Sequence, residues 1–241
     1  MNERDDQIRE LLDSIPERLK IVKDGIDFAV QQEYLKFTKG INLKKYAQED
    51  ISAITLSLFK SGLILEKKKA LAILAQQGTL EAYRTIEKFL KSEEQELKDW
   101  GVLAQEECRI LLESSLSDRN TGIVMTGLGG EYNRLRYYVV VRSRNDAALT
   151  DAQKENISRS FSHICSQFDS ILEEIQPYQH YVAMKELIPM DIAVADVIEG
   201  GINECNAFGD FLDETYYVTN IKIPTEAEIQ QYFIELRRDE E

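Results

Sequence analysis

The sequence is poor in the residues that most often announce chemistry. It holds two histidines, and neither His163 nor His180 stands in a spacing such as His-x-x-x-His or beside a cysteine pair, so a zinc site is not indicated. The three cysteines, Cys108, Cys165 and Cys205, are scattered and form no Cys-x-x-Cys. They are expected to be reduced thiols of a cytoplasmic protein, not a disulfide framework. No Gly-x-Ser-x-Gly occurs, so a hydrolase elbow has no support. No apolar run approaches the roughly 20 residues of a membrane span. The opening MNERDDQIRELLDSI is charged and lacks an apolar segment, which argues against a secretory signal. Four prolines and twelve glycines in 241 residues, with 43% apolar residues, describe a globular chain that can bury a core without metals or disulfides. No cofactor is implied.

What is present in excess is acid. The chain carries 29 basic and 43 acidic residues, a net charge of −14. Such a surface repels phosphate backbones, so nucleic acid is read as an unlikely partner unless a local basic patch overrides the mean. The excess is uneven: residues 1–118 carry 18 bases and 22 acids, residues 119–241 carry 11 and 21. This asymmetry suggests two parts with different surfaces.

The first part reads as helical. Ile8, Leu11, Leu12 and Ile15 follow 3–4 spacing up to Pro16, and a second stripe runs from Leu19 to Val30. Further helices are expected over 46–59, 63–77, 79–90 and 93–112, separated by Gly62 and Gly78, with Thr79 and Ser92 at N-cap positions. Residues 69–77 (KALAILAQQ) align with 98–106 (KDWGVLAQE) at an offset of 29, matching Lys69 to Lys98, Leu74 to Leu103, Ala75 to Ala104 and Gln76 to Gln105. With the outer helix LEAYRTIEKFL between them, residues 60–116 resemble a short HEAT-like helical repeat of about two units. That resemblance implies an α-helical, repeat-like platform for a protein partner. Any antiparallel bundle rich in Ala and Leu would also produce the match. Trp100 falls where an inner helix packs.

The run Ser117-Asp118-Arg119-Asn120-Thr121-Gly122 is polar and turn-rich, and period-2 patterning begins after it. A boundary is therefore placed there, giving a helical domain over 1–118 and an α+β domain over 119–241. In the second domain we expect strands at 123–128 and 134–143, then a helix from Thr150 to about 176 with the stripe Ile157, Phe161, Ile164, Phe168, Ile171, Leu172, Ile175. A strand near 180–188, a helix after Asp191, a strand at 214–223 and a final helix from Thr225 complete it. The order ββαβαβα predicts a mixed sheet with helices packed on it.

The stretch TGIVMTGLGGEYNRLRYYVVVRSR holds the most suggestive residues. Gly127-Leu128-Gly129-Gly130 leads into a strand, not a helix, so it is neither a dinucleotide fingerprint nor a P-loop. It is a turn between strands or an amide nest for an anion. In the strand after it, alternation puts Leu135, Tyr137, Val139 and Val141 on one face, and Arg134, Arg136, Tyr138, Val140, Arg142 and Arg144 on the other. Gly127, Gly129, Gly130, Arg134, Arg136, Arg142 and Arg144 are thus a candidate anion site, unless the arginines pair with acids of the same chain. Asp196, Glu199 and Asn203 lie one turn apart on a helix; they read as a solvated face or a hard-cation site. Two functions remain open: a non-enzymatic protein-interaction adaptor, or an anion- or nucleotide-binding domain or enzyme with its site at the glycine turn and arginine face.

Overall fold

The computed structural model describes residues 18–40, 46, 50–92, 95–116 and 121–239. The stripe expected at Ile8–Ile15 and most of the turn-rich run at 117–122 lie outside these residues. The chain divides into two compact units, one of residues 1–22 and 26–125, the other of 23–25 and 126–241.

In the first unit strand β1 (Arg18–Ile21) pairs in parallel with β2 (Thr121–Val124). Among the described residues five α-helices lie between them in sequence: α1 (Phe28–Gly40), α2 (Ile51–Lys60), α3 (Ile64–Gln77), α4 (Leu80–Leu90) and α5 (Lys98–Leu116). Thr79 caps α4 by accepting the Ala82 amide, which satisfies one of the free donors of its first turn. Leu58, Leu71, Leu74, Ile86, Phe89, Trp100 and Leu103 form one core. Each fully buried side chain of this size contributes roughly 1.5–3 kcal/mol.

The HEAT-like expectation is corrected here. Residues 69–77 and 98–106 do lie on helices, α3 and α5, and Leu74, Ala75, Leu103 and Ala104 are buried in one core, but Trp100 stands where the earlier segment has Leu71. Trp100 of α5 is enclosed by Tyr34 and Phe37 of α1, edge-on at 5.1 and 5.4 Å, and Tyr34 donates its hydroxyl to Glu107 at 2.5 Å. An aromatic clasp from a helix outside the alignment stands where a solenoid would stack its next unit. The unit is a helical cluster, not a clear repeat; the match reflects small side chains where helices pack closely.

The second unit is built on a five-stranded sheet. β4 (Arg134–Ser143) is central. β6 (Tyr181–Pro189) pairs with it on one side, while β7 (Leu212–Thr219) and the short β3 (Gly130–Glu131) pair with it as well. β5 (Ile171–Pro177) lies outside β6. Every pairing is antiparallel, so the expected mixed sheet is also corrected. The parallel pair expected of a mixed sheet belongs to β1 and β2, because β2 joins the helical unit and not this one. The helix expected to reach residue 176 ends at Gln167. Asp169 takes φ +51, a conformation that breaks the helix, and the chain returns as β5.

α6 (Asp151–Gln167) joins β4 to β5, and α7 (Val194–Asn206) joins β6 to β7. The order β4-α6-β5-β6-α7-β7 is the split β-α-β arrangement of ferredoxin-like folds. A capping box between Thr150 and Gln153 starts α6. Ile157 and Phe161 of α6, with Ile198 and Ile202 of α7, bury one sheet face through Val139, Val141, Val182 and Met184. The other face carries Tyr138, Val140 and Ala183, covered by Ile229 and Phe233 of α8 (Glu226–Asp239).

Candidate binding face of the antiparallel sheet

The glycine turn serves backbone packing. A Cβ on Gly127 would lie 1.4 Å from the Ile221 carbonyl oxygen, and one on Gly129, at φ +70, would lie 2.3 Å from that of Lys23. Only glycine lets these three backbone segments come so close. Three of the turn's amides are engaged: Leu128 N donates to Asn220 O at 3.1 Å, Gly129 N to Thr126 O at 3.3 Å and Gly130 N to Lys23 O at 3.3 Å. Gly127, Gly129 and Gly130 therefore present no ring of open donors; they set the start of β4 and its first arginines.

The four arginines form two pairs at the ends of β4. Arg134 meets Asp169 at 2.6 Å. Arg136 grips Glu173 through Nε at 2.5 Å and Nη2 at 2.8 Å, and donates to Leu128 O at 2.8 Å. The Glu173 hydrogen bond holds the Arg136 pKa above its ordinary value. At the far end Arg142 bonds Asp213 through Nε at 3.0 Å and Nη2 at 2.8 Å, and its guanidinium stacks 4.6 Å from the Phe233 ring. Burial pushes the Asp213 carboxyl up, but the Thr215 amide and hydroxyl and the Arg142 charge outweigh this and hold it below its usual value. Arg144, in the turn after β4, meets Asp210 at 2.6 Å and Glu214 at 3.2 Å. The carboxylates divide by exposure. Asp169, Asp210 and Glu214 are 85%, 63% and 81% exposed, whereas Glu173 and Asp213 are largely covered.

On the same sheet face as the arginines lies a group of tyrosines that sequence reasoning missed. Tyr138 comes from β4, Tyr217 from β7 and Tyr181 from β6, with Tyr178 just beyond β5 and Tyr232 contributed by α8. Tyr178 and Tyr181 stack with ring centroids 4.4 Å apart and planes 18° apart. Tyr217 and Tyr232 meet edge to face at 4.9 Å. Cross-strand register aligns Val140 with both Tyr217 and Ala183, and Arg142 with Tyr181. Tyr138 is buried under α8, while Tyr178, Tyr181 and Tyr217 are part-exposed. Burial raises the Tyr138 phenol, and burial with the nearby Glu226 pushes Tyr181 up to about 12. The Tyr181 hydroxyl thus stays a neutral donor at physiological pH. A cleft of about 320 Å³ opens beside this group, lined by Arg142, His180, Tyr181, Ile229 and Phe233. The missed signal was the recurrence of tyrosine in RLRYYVVVR, PYQHY and ETYYV.

The remaining candidates are placed as follows. His163 contacts Glu204 through Nδ1 at 2.8 Å on the exposed side of α6; the Nδ1 of His180 is buried without a partner. Glu199 accepts the Tyr216 hydroxyl at 3.3 Å. Among the described residues no group of three His, Cys, Asp or Glu could hold a metal ion, and no helix is long and apolar enough to cross a membrane. Cys108, Cys165 and Cys205 are free and buried, and burial pushes their thiols up to about 11, 12 and 11.

No protein-family model matches the chain, and no curated protein does. Two solved chains similar to it are a proposed transposase of Deinococcus radiodurans R1 and a REP-associated tyrosine transposase bound to a REP hairpin. The first is 17% identical with a TM-score of 0.39, and the match covers 44% of this chain and 93% of that one. The second is 10% identical with a TM-score of 0.33, covering 46% and 74%. Both of these solved chains are described as transposases, and neither as a helical repeat. The expectations of a HEAT-like, non-enzymatic protein-interaction adaptor and of nucleic acid as an unlikely partner are corrected accordingly. Net charge is a whole-chain mean and does not describe local groups such as the arginines at the two ends of β4.

Proposed function

We propose that the C-terminal unit binds single-stranded nucleic acid on the tyrosine-lined face of its sheet. Bases stack on the rings, and the arginines at the two ends of β4 take the phosphates. The observation that carries this reading is the gathering of the part-exposed Tyr178, Tyr181 and Tyr217 on one face of an antiparallel sheet whose central strand has an arginine pair at each end. A sheet with exposed aromatics is a stacking platform for unpaired bases, because every base has a π-face. Stacking contributes about 1–3 kcal/mol per base and tolerates any sequence. Phosphate contacts then set register and direction.

The acidic excess does not prevent this. Exposed ion pairs contribute only about 0–1 kcal/mol, so a phosphate can replace Asp210 and Glu214 on Arg144 at little cost. Arg134 and Arg142 are eight residues apart, about 27 Å along an extended strand, which leaves room for several nucleotides. The three free thiols fit a reducing compartment, and we place the protein in the cytoplasm on that ground.

Fluorescence anisotropy with a labelled single-stranded oligonucleotide tests the reading. Replacing Tyr178 and Tyr181 together with Leu keeps apolar bulk but removes the stacked pair. The dissociation constant should rise by about tenfold or more. An unchanged constant in that variant, or no binding by the parent protein, would sink the proposal.

A further inference from the structure

Arg159 differs from the other described basic side chains of the C-terminal unit. Lys23, Arg134, Arg136, Arg142, Arg144, Lys154, Lys185 and Lys222 each pair with an acid. Arg159, exposed on α6, pairs with none among the described residues. It lines a cavity of about 450 Å³ at the α6–α7 side of the unit, away from the tyrosine face, together with Gln153, Asn156, Glu204, Phe208 and Phe211.

The lining groups are already oriented. Gln153 spends its amide oxygen on the Thr150 amide and hydroxyl at 2.9 and 3.0 Å, which leaves its NH2 as a donor. Asn156 is fixed by its bond to Cys205 O at 3.4 Å and by Ser160, whose hydroxyl donates to it at 3.4 Å. The Glu204 carboxylate, the acid in this lining, is engaged by His163 Nδ1 at 2.8 Å. Phe208 is 77% exposed and Phe211 is half-buried, so ring faces stand beside free donors. The ring of Phe208 follows α7 directly, with Gly209 next at φ +139 and open space around it. A large exposed aromatic and an unpaired guanidinium in one concavity are the elements of a small-molecule site. The guanidinium fork suits a carboxylate or phosphate, and the phenyl faces suit a planar ring.

We infer that this cavity binds an aromatic anion, a planar ring carrying one phosphate or carboxylate, with Arg159 on the anionic group and Phe208 against the ring. The site is independent of the sheet face. A nucleoside monophosphate and an aryl carboxylate share this chemistry, and the experiment separates them.

Calorimetric titrations of the full chain with adenosine 5′-monophosphate, indole-3-acetate, adenosine and inorganic phosphate provide the test. At least one of the first two should bind. Adenosine and phosphate alone should bind at least about tenfold more weakly, since each supplies half of the contacts. Arg159→Gln and Phe208→Ala, both at exposed positions, should each raise the dissociation constant of the better ligand about tenfold while leaving the melting temperature and oligonucleotide binding of the unliganded protein unchanged. Saturation by the monophosphate alone identifies a nucleotide site; saturation by the carboxylate alone identifies an aryl-acid site. Failure of both to bind at millimolar concentration overturns the inference, as does binding indifferent to Arg159→Gln.

Discussion

Arg136 holds Glu173 in a two-pronged fork, Nε to Oε2 at 2.5 Å and Nη2 to Oε1 at 2.8 Å, linking the start of β4 to β5 across β6. Both side chains are largely covered, 19% and 27% exposed, so this pair has more weight than the open pairs of Arg144. Arg136→Gln should lower stability by about 1–2 kcal/mol in urea titration and weaken oligonucleotide binding. Glu173→Gln should lower stability by a similar amount yet tighten binding, because it releases the arginine and removes a competing charge. Equal effects of both substitutions on binding would assign the pair a purely structural role.

The glycine turn gives a second expectation. Gly127→Ala should cost about 3 kcal/mol or more, since its Cβ would overlap the Ile221 carbonyl and backbone must move. Gly62→Ala meets nothing within 4 Å and should be neutral or stabilising by up to about 1 kcal/mol. Denaturation midpoints of the two variants check the contrast; a tolerated Gly127→Ala would contradict the close three-segment packing.

Glu186 governs a pH dependence. It is fully buried on β6, both carboxylate oxygens lack partners, and burial raises its pKa from 4.5 to about 7. Its register partners are Tyr137 on β4 and Leu172 on β5, and Cys165 of α6 feels its charge. Below pH 4.5 the group is protonated in both folded and unfolded chains and does not alter stability. Between about 4.5 and 7 the unfolded chain releases the proton and the folded one keeps it. Stability therefore falls as pH rises through this window and levels off above it, with a total of about 3 kcal/mol as an upper figure. Glu186→Met should remove this component and be more stable than the parent at pH 8. Parallel urea titrations at pH 5 and pH 8 measure it, and an unchanged pH difference in Glu186→Met would refute the assignment.

Ile229 and Phe233 anchor α8 over Tyr138 and Val140, so the helix occupies part of the proposed binding face. Phe233→Ala should cost about 3 kcal/mol of stability and, by loosening α8, strengthen oligonucleotide binding. Anisotropy below the variant's melting range tests this; weaker binding would show instead that α8 is part of the binding surface.

Much of the central strand was legible from the sequence. Two-residue alternation in RLRYYVVVR separates Tyr137, Val139 and Val141 from Arg134, Arg136, Tyr138 and Arg142, as the structure does. β5 was hidden because Ile171, Leu172 and Ile175 prolong the 3–4 spacing of α6 through a break made by Asp169, without glycine or proline to signal it. The antiparallel character of the sheet was hidden too, since β2 looks like a first strand of the second unit but pairs with β1, about a hundred residues earlier. The arginine positions could be read, and so could their pairing with acids of the same chain; which acid meets which arginine could not, because Asp169, Glu173, Asp213 and Glu214 arrive through the folding of distant segments. The tyrosines escaped notice because each sits in a different strand and only cross-strand register assembles them.

The central claim is that bases stack on the tyrosine face. A direct measurement is an NMR titration of tyrosine-ring-labelled protein with a single-stranded oligonucleotide. The ring signals of Tyr178, Tyr181 and Tyr217 should shift upfield with one saturating curve, while Tyr132, 73% exposed in the turn before β4, and Tyr83 of α4 stay in place. Shifts at Tyr132 or Tyr83 with none at Tyr178 and Tyr181, or no shifts at all, would contradict the account.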